Sequence, residues 1–158
     1  MKLLKCDFAH EKVAYLEHVI SAKGVATDES KIEAIRSWPH PTNVKELRGI
    51  LGVTGYYRKY IHFYAVFSQP LTALLKKGVV FRWTEAMERA FQTLKQALMA
   101  APVLALPHFT CQFTIKMDTC DVGIGAVLSQ KGHPIAYVSR ALGPRNRGLS
   151  VYTSPTYL

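Results

Sequence analysis

Five prolines, Pro39, Pro41, Pro70, Pro102 and Pro107, set where the helices of this chain can begin and end. Proline has no amide proton and clashes with the turn before it, so a helix stops at it or starts on it. Ahead of the first, Val13, Tyr15 and Val19 alternate with polar neighbours, and Ala22-Lys23-Gly24 offers a turn before Val25. That period of two predicts a β-hairpin over Lys12 to Val25. From Thr27 the spacing turns helical, with Ile32, Ile35 and Trp38 on one face, Thr27 or Asp28 as cap, and Pro39 and Pro41 as the stop. A second helix starts at Thr42 or Asn43, with Glu46 placed for a capping box and an apolar stripe of Val44, Leu47, Ile50, Leu51 and Thr54. Pro70 opens a short helix bearing Leu71, Leu74 and Leu75, which Lys76-Lys77-Gly78 closes. Thr84 heads the best helical pattern, Met87, Ala90, Phe91, Leu94 and Leu98, which Pro102 ends. Beyond Pro107 the period returns to two. Phe113, Ile115 and Met117 alternate with Thr114 and Lys116, and turns at Asp121-Val122-Gly123 and Lys131-Gly132 predict a three-stranded meander.

Two patterns within the helical region bear on function. Gly49, Gly52 and Gly55 lie three apart on or near the second helix. Each costs about 1 kcal/mol against alanine there, so a close approach is expected, a helix–helix crossing ahead of a nucleic-acid backbone. Tyr56, Tyr57, Tyr60, Phe63, Tyr64 and Phe67 then interleave with Arg58, Lys59 and His62. Rings can stack on bases while cations meet phosphates. Aromatic residues at this spacing more often pack, which leaves Arg58 and Lys59 as the solvent-side candidates.

Half-apolar composition with one fifth charged residues is that of a globular chain, and 158 residues can bury a sizeable core. The net charge is +9, with 12 Lys/Arg against 7 Asp/Glu in residues 1–78 and 8 against 4 in residues 79–158. An excess spread along the whole chain suits an extended anionic partner. Cys6, Cys111 and Cys120 form no paired motif, and the six histidines have no metal-ligand spacing, which argues against a disulfide framework or a zinc site. No apolar run is long enough to span a bilayer and none resembles a secretion signal, so the expected setting is intracellular, reducing and soluble, with no membrane partner.

The segments in their order resemble a gypsy-type LTR retrotransposon Pol polyprotein. Lys5-Cys6-Asp7-Phe8 and Val13-Ala14-Tyr15-Leu16-Glu17-His18-Val19-Ile20-Ser21 are similar to the end of a reverse transcriptase palm with its primer-grip hairpin. Leu47-Arg48-Gly49-Ile50-Leu51-Gly52-Val53-Thr54-Gly55-Tyr56-Tyr57-Arg58-Lys59-Tyr60-Ile61 resembles the helical thumb. Pro70-Leu71-Thr72-Ala73-Leu74-Leu75 and Phe81-Arg82-Trp83-Thr84 lead toward a connecting helix. Asp118, Gly123-Ile124-Gly125-Ala126-Val127-Leu128-Ser129-Gln130, Pro134-Ile135-Ala136-Tyr137-Val138-Ser139-Arg140 and Ser150-Val151-Tyr152 resemble the opening of an RNase H domain. The resemblance implies an α+β fold in four parts. They are a palm-end hairpin over 1–26, a thumb-like region over 27–78, a connecting segment over 79–108, and a truncated RNase H-like domain over 109–158 with a three-stranded antiparallel start of its sheet.

The resemblance also implies Mg2+ chemistry, in which clustered carboxylates hold two metal ions. The family's Tyr-x-Asp-Asp turn lies upstream of this stretch, and no two aspartates here are adjacent. Asp118 matches the first RNase H acid and is the catalytic and metal-ligating candidate, but Thr153-Ser154-Pro155 stands where the next acid is expected. The expectation is a catalytically inactive fragment. Its alternative is a retained module that binds an RNA–DNA hybrid or DNA duplex through Lys45, Arg48, Arg58, Lys59, Lys76 and Lys77, with His18 from the hairpin. Glu17 departs from the family's usual glycine and sets a negative charge where a primer backbone would pass. A third reading is association with an intact polymerase through exposed sheet edges.

Overall fold

The computed structural model describes residues 10–143, so Cys6, the Lys5-Cys6-Asp7-Phe8 match and the Ser150-Val151-Tyr152 match lie outside the described residues. Three short strands, β1 (Lys12–Tyr15), β2 (His18–Ser21) and β3 (Gly24–Thr27), form an antiparallel sheet in the order β1-β2-β3. The predicted hairpin therefore gains a third strand. That strand pairs with β2 over four residues, and on its other side Val25 exchanges two backbone hydrogen bonds with the sequence-remote Leu104, at 2.8 and 2.9 Å. Gly24 makes that approach possible. Its φ is +125°, and a Cβ there would stand 2.2 Å from the Leu104 carbonyl oxygen.

Helix α1 (Glu29–Arg36) starts on Asp28, whose carboxylate accepts from the Ser30 amide at 2.9 Å. Helix α2 (Val44–Tyr56) starts on Asn43, whose Oδ1 accepts from the Glu46 amide at 2.9 Å. Glu46 in turn accepts from the Thr42 amide at 2.7 Å, which completes a capping box displaced by one residue. A 3-10 turn (Arg58–Tyr60) and two short helices, α3 (Tyr64–Phe67) and α4 (Gln69–Ala73), lead to α5 (Glu85–Met99). Thr84 occupies the α5 N-cap position but makes no side-chain capping bond to the backbone; its hydroxyl turns to the Met87 sulfur instead.

Helix α5 is the spine of the core. Its Ala90, Phe91 and Leu94 pack with Leu47 and Ile50 of α2 and with Leu71 and Leu74 around α4, while Leu98 joins Ile35, Tyr57, Tyr60, Ile61 and Leu104. The apolar stripes predicted for α2 and α5 are the faces that meet here, which is why the helices persist at lengths that would be marginal alone. Buried Lys95 donates to the Trp38 carbonyl oxygen at 2.9 Å and lies over the Phe91 ring.

Strands β4 (Thr114–Cys120), β5 (Gly123–Gln130) and β6 (His133–Ala141) form the predicted meander, again antiparallel and in sequence order. One face of this sheet rests on the turn before α3. Side chains at Gly123 and Gly125 would collide with Val66, His62 and Phe63, and Ser139 Oγ accepts from the Ala65 amide at 2.9 Å. The opposite face is open: Ile115 and Met117 are 66% and 67% exposed, and Val138 lies in register with Met117 through Ala126. The whole is the mixed α+β arrangement of helices and antiparallel sheets that the sequence implied.

Candidate nucleic-acid interface

The exposed side of α2 follows directly from its buried side. With Leu47, Ile50 and Thr54 turned inward, helical geometry gathers Lys45, Arg48, Gly49, Gly52 and Tyr56 on one outward face, and all five are exposed. Gly49 and Gly52 do not mark the helix crossing predicted for them. A Cβ built on either meets nothing within 4 Å, and one on Gly55 would meet only the Tyr64 hydroxyl, at 3.5 Å. The helix therefore carries two glycines that its own packing does not require. The face has two cations at its N-terminal end, bare backbone in its middle, and at its far end a tyrosine ring, 47% exposed.

The other expected contacts are placed unevenly around this face. Arg58, in the 3-10 turn just past α2, is exposed. Lys59 beside it is half-buried, its ammonium 5.4 Å from the centre of the Tyr60 ring. Lys76 and Lys77 are exposed, but they follow Leu71 and Leu74, which pack with Leu47 and Ile50 on the buried side of α2, and so lie away from the α2 outward face. His18 is not a surface cation at all. It is 8% exposed, stacked on Tyr56 with ring centres 5.2 Å apart and planes at 8°, and flanked by Tyr57 and Tyr60, each at 5.7 Å. Burial, reinforced by the Lys59 ammonium, holds its imidazole below the ordinary value, against a smaller opposing pull from Glu17. The charge expected to repel a primer at Glu17 is engaged by Lys31 of α1, at 2.9 Å.

Of the aromatic run, Tyr57 and Tyr60 are fully buried, while Phe63, Tyr64 and Phe67 are half-buried. Tyr56 is the ring that packing leaves available. Its position four residues after Gly52 was readable as helical spacing, but its exposure depended on the tertiary fold.

Asp118 is exposed in the interior of β4, opposite Gly125, rather than at a strand end. Asp121 occupies the tight β4–β5 turn. Among the described residues no group of three or more His, Cys, Asp or Glu side chains converges as metal ligands. A two-metal centre needs several carboxylates around one point, and the described residues around Asp118 do not fit that requirement. No helix among the described residues is long and apolar enough to cross a membrane.

Residues 83–155 match the family described as the RNase H-like domain found in reverse transcriptase. The chain is 41% identical over 144 residues to the retrovirus-related Pol polyprotein from transposon 297 of Drosophila melanogaster, an alignment covering 90% of this chain and 14% of that polyprotein. It is 46% identical over 115 residues to an uncharacterised mitochondrial protein of Arabidopsis thaliana, with 72% of each chain covered. Its fold is similar to that of the foamy viral protease–reverse transcriptase solved in complex with double-stranded DNA, at a TM-score of 0.78 and 23% identity over 85% of this chain and 25% of that one. The same enzyme solved with RNA/DNA hybrid gives 0.78 and 23% over 87% and 19%. Residues 83–155 thus belong to the RNase H-like domain family found in reverse transcriptase, and the chain's homologues include retrovirus-related Pol polyproteins of transposons. The chain spans about a seventh of the length of the transposon 297 polyprotein.

Proposed function

We propose that the outward face of α2 is a sequence-tolerant surface for the sugar–phosphate backbone of an RNA–DNA hybrid or DNA duplex, in a chain of the gypsy-type LTR branch. The thumb-like division at 27–78 is the part that carries it. One observation bears most of the weight: α2 keeps Gly49 and Gly52 on an exposed face where none of the described residues would meet a side chain within 4 Å. Two glycines in a helix interior lower its stability, so their use lies outside the chain's own packing. Bare backbone lets a duplex come close, Lys45 and Arg48 neutralise phosphates at one end, and Tyr56 offers a ring at the other. Arg58 extends the cationic edge, and the foamy viral protease–reverse transcriptase, whose fold is similar, was solved with duplexes of both kinds.

The same reading makes this 158-residue chain non-catalytic by itself. Among the described residues no carboxylates converge with Asp118, which by itself supplies too few oxygens for two divalent ions.

Fluorescence anisotropy of a labelled RNA–DNA hybrid, titrated at several salt concentrations, tests the binding surface. The logarithm of affinity should fall with that of salt at a slope of about −0.9 per phosphate contact, and Lys45→Ala/Arg48→Ala should flatten it by about two contacts. A folded chain that does not bind, or a slope unchanged in the double variant, contradicts the assignment.

A further inference from the structure

Three tyrosine hydroxyls from the end of α2 and the turn after it reach three consecutive residues, the two of the β1–β2 turn and the first of β2. Tyr56 donates to the Leu16 carbonyl oxygen at 2.7 Å, Tyr57 donates to the Glu17 carbonyl oxygen at 3.2 Å, and the Tyr60 hydroxyl lies 3.3 Å from His18 Nδ1. The turn they hold is one that neither of its residues favours. Leu16 has φ 47° and Glu17 φ 63°, left-handed conformations that cost a residue with a Cβ about 1 kcal/mol or more each. Such backbone persists where surrounding contacts over-determine it, and these three hydroxyls supply the contacts. The His18 ring sits in the middle of the arrangement, and the face of Tyr56 that does not meet solvent lies parallel against it.

We propose that His18 is a positioning residue: its neutral ring latches the β1–β2 turn to the end of α2 and orients Tyr56 on the outward face, and protonation of the ring releases the latch. The part concerning Tyr56 rests on the nucleic-acid reading of α2; the latch itself does not. The latch takes the tautomer in which Nδ1 accepts from the Tyr60 hydroxyl and the proton resides on Nε2. A second proton would enter at Nδ1, turn the Tyr60 hydroxyl from donor to acceptor, and add a charge in a buried place near the Lys59 ammonium.

The groups facing the ring fix the direction of the pH dependence. Lys59 and burial disfavour the imidazolium, and Glu17, already paired with Lys31, favours it more weakly. Tyr57 and Tyr60 are pushed up to about 12 by burial and stay uncharged throughout the relevant range. The folded-state value of His18 lies below its unfolded value of about 6.5. The latch is therefore at full strength above that value and weakens as pH falls below it, where the released state binds more protons.

NMR of the full chain between pH 7.5 and 5 tests this without nucleic acid. The expected result is that His18–Tyr56 contacts and the resonances of the β1–β2 turn change together, with one midpoint below the ordinary histidine value. His18→Phe, which stacks but does not titrate, should keep the turn docked across the range, and His18→Ala should leave it undocked throughout. Contacts that survive His18 protonation, or the same transition in His18→Phe, would overturn the latch. Hybrid affinity measured in parallel should weaken several-fold more between pH 7.5 and 5.5 in the unmodified chain than in His18→Phe. Equal changes in the two would overturn the role given to Tyr56. A normal latch transition in a chain that binds no hybrid at any pH would overturn the α2 reading while supporting the latch.

Discussion

Gly52 shows how a single residue separates stability from function. Its Cβ-less backbone sits in a helix interior, in open space and at an ordinary helical position. Gly52→Ala should therefore raise stability by about 1 kcal/mol, a thermal shift of roughly 2–4 °C for a chain this size. The same substitution places a methyl group on the proposed contact face and should weaken hybrid binding. Melting and anisotropy on one preparation check both, and a variant that gains stability without losing affinity would show the glycine to be incidental. The three-residue glycine spacing was visible in the sequence, but its meaning was not. A helix crossing and an open face leave the same pattern, and only the positions of the neighbouring elements distinguish them. His18 has the same lesson in reverse. A histidine in a strand reads as a cation available to phosphate, whereas its burial is produced by tyrosines about forty residues away, which no local pattern reveals.

At the scale of elements, helix starts were the most legible feature, since a cap is a local hydrogen-bonding problem. Asn43 and Thr84 occupy equivalent places ahead of α2 and α5, yet only the Asn43 side chain accepts from a backbone amide of the first turn. Asn43→Ala should cost about 1 kcal/mol, while Thr84→Ala should stay within about 0.5 kcal/mol. Urea unfolding of the two variants decides it, and equal losses would contradict the capping geometry. Strand β3 was the element the sequence concealed. Gly24-Val25-Ala26-Thr27 is too short to show a period, and much of its support comes from Leu104, beyond α5. The meander of β4 to β6 was legible because its turns are local and its first strand alternates cleanly.

At the scale of the molecule, two small sheets are fastened to a helical core by different means. The first is held by the Val25–Leu104 bonds and the tyrosine hydroxyls. The second sits on the α3 turn through absent side chains: a Cβ on Gly123 would stand 2.2 Å from Val66 Cγ2 and 3.0 Å from the Arg140 carbonyl oxygen. Gly123→Ala should overpack that seam and cost about 1–3 kcal/mol, read as a lower urea midpoint. An unchanged midpoint would mean that the sheet is not seated as described. These attachments place the second sheet on the same core as α2 and, among the described residues, bring no cluster of ligands to Asp118, which is why the α2 face, and not Asp118, is the centre of the functional proposal.

The most direct test of that proposal is proximity. With Cys6, Cys111 and Cys120 replaced by serine, Gly52→Cys gives a single thiol on the α2 face, and Gln96→Cys gives one on the exposed side of α5, across the core. Each variant is mixed with an RNA–DNA hybrid carrying a mixed-disulfide tether on its backbone, and capture by thiol–disulfide exchange, which releases the tether's leaving thiol, is followed with time. Capture at position 52 well above that at position 96, and suppressed by salt, is the expected result. Equal capture at the two positions, or faster capture at 96, would contradict a duplex lying along α2.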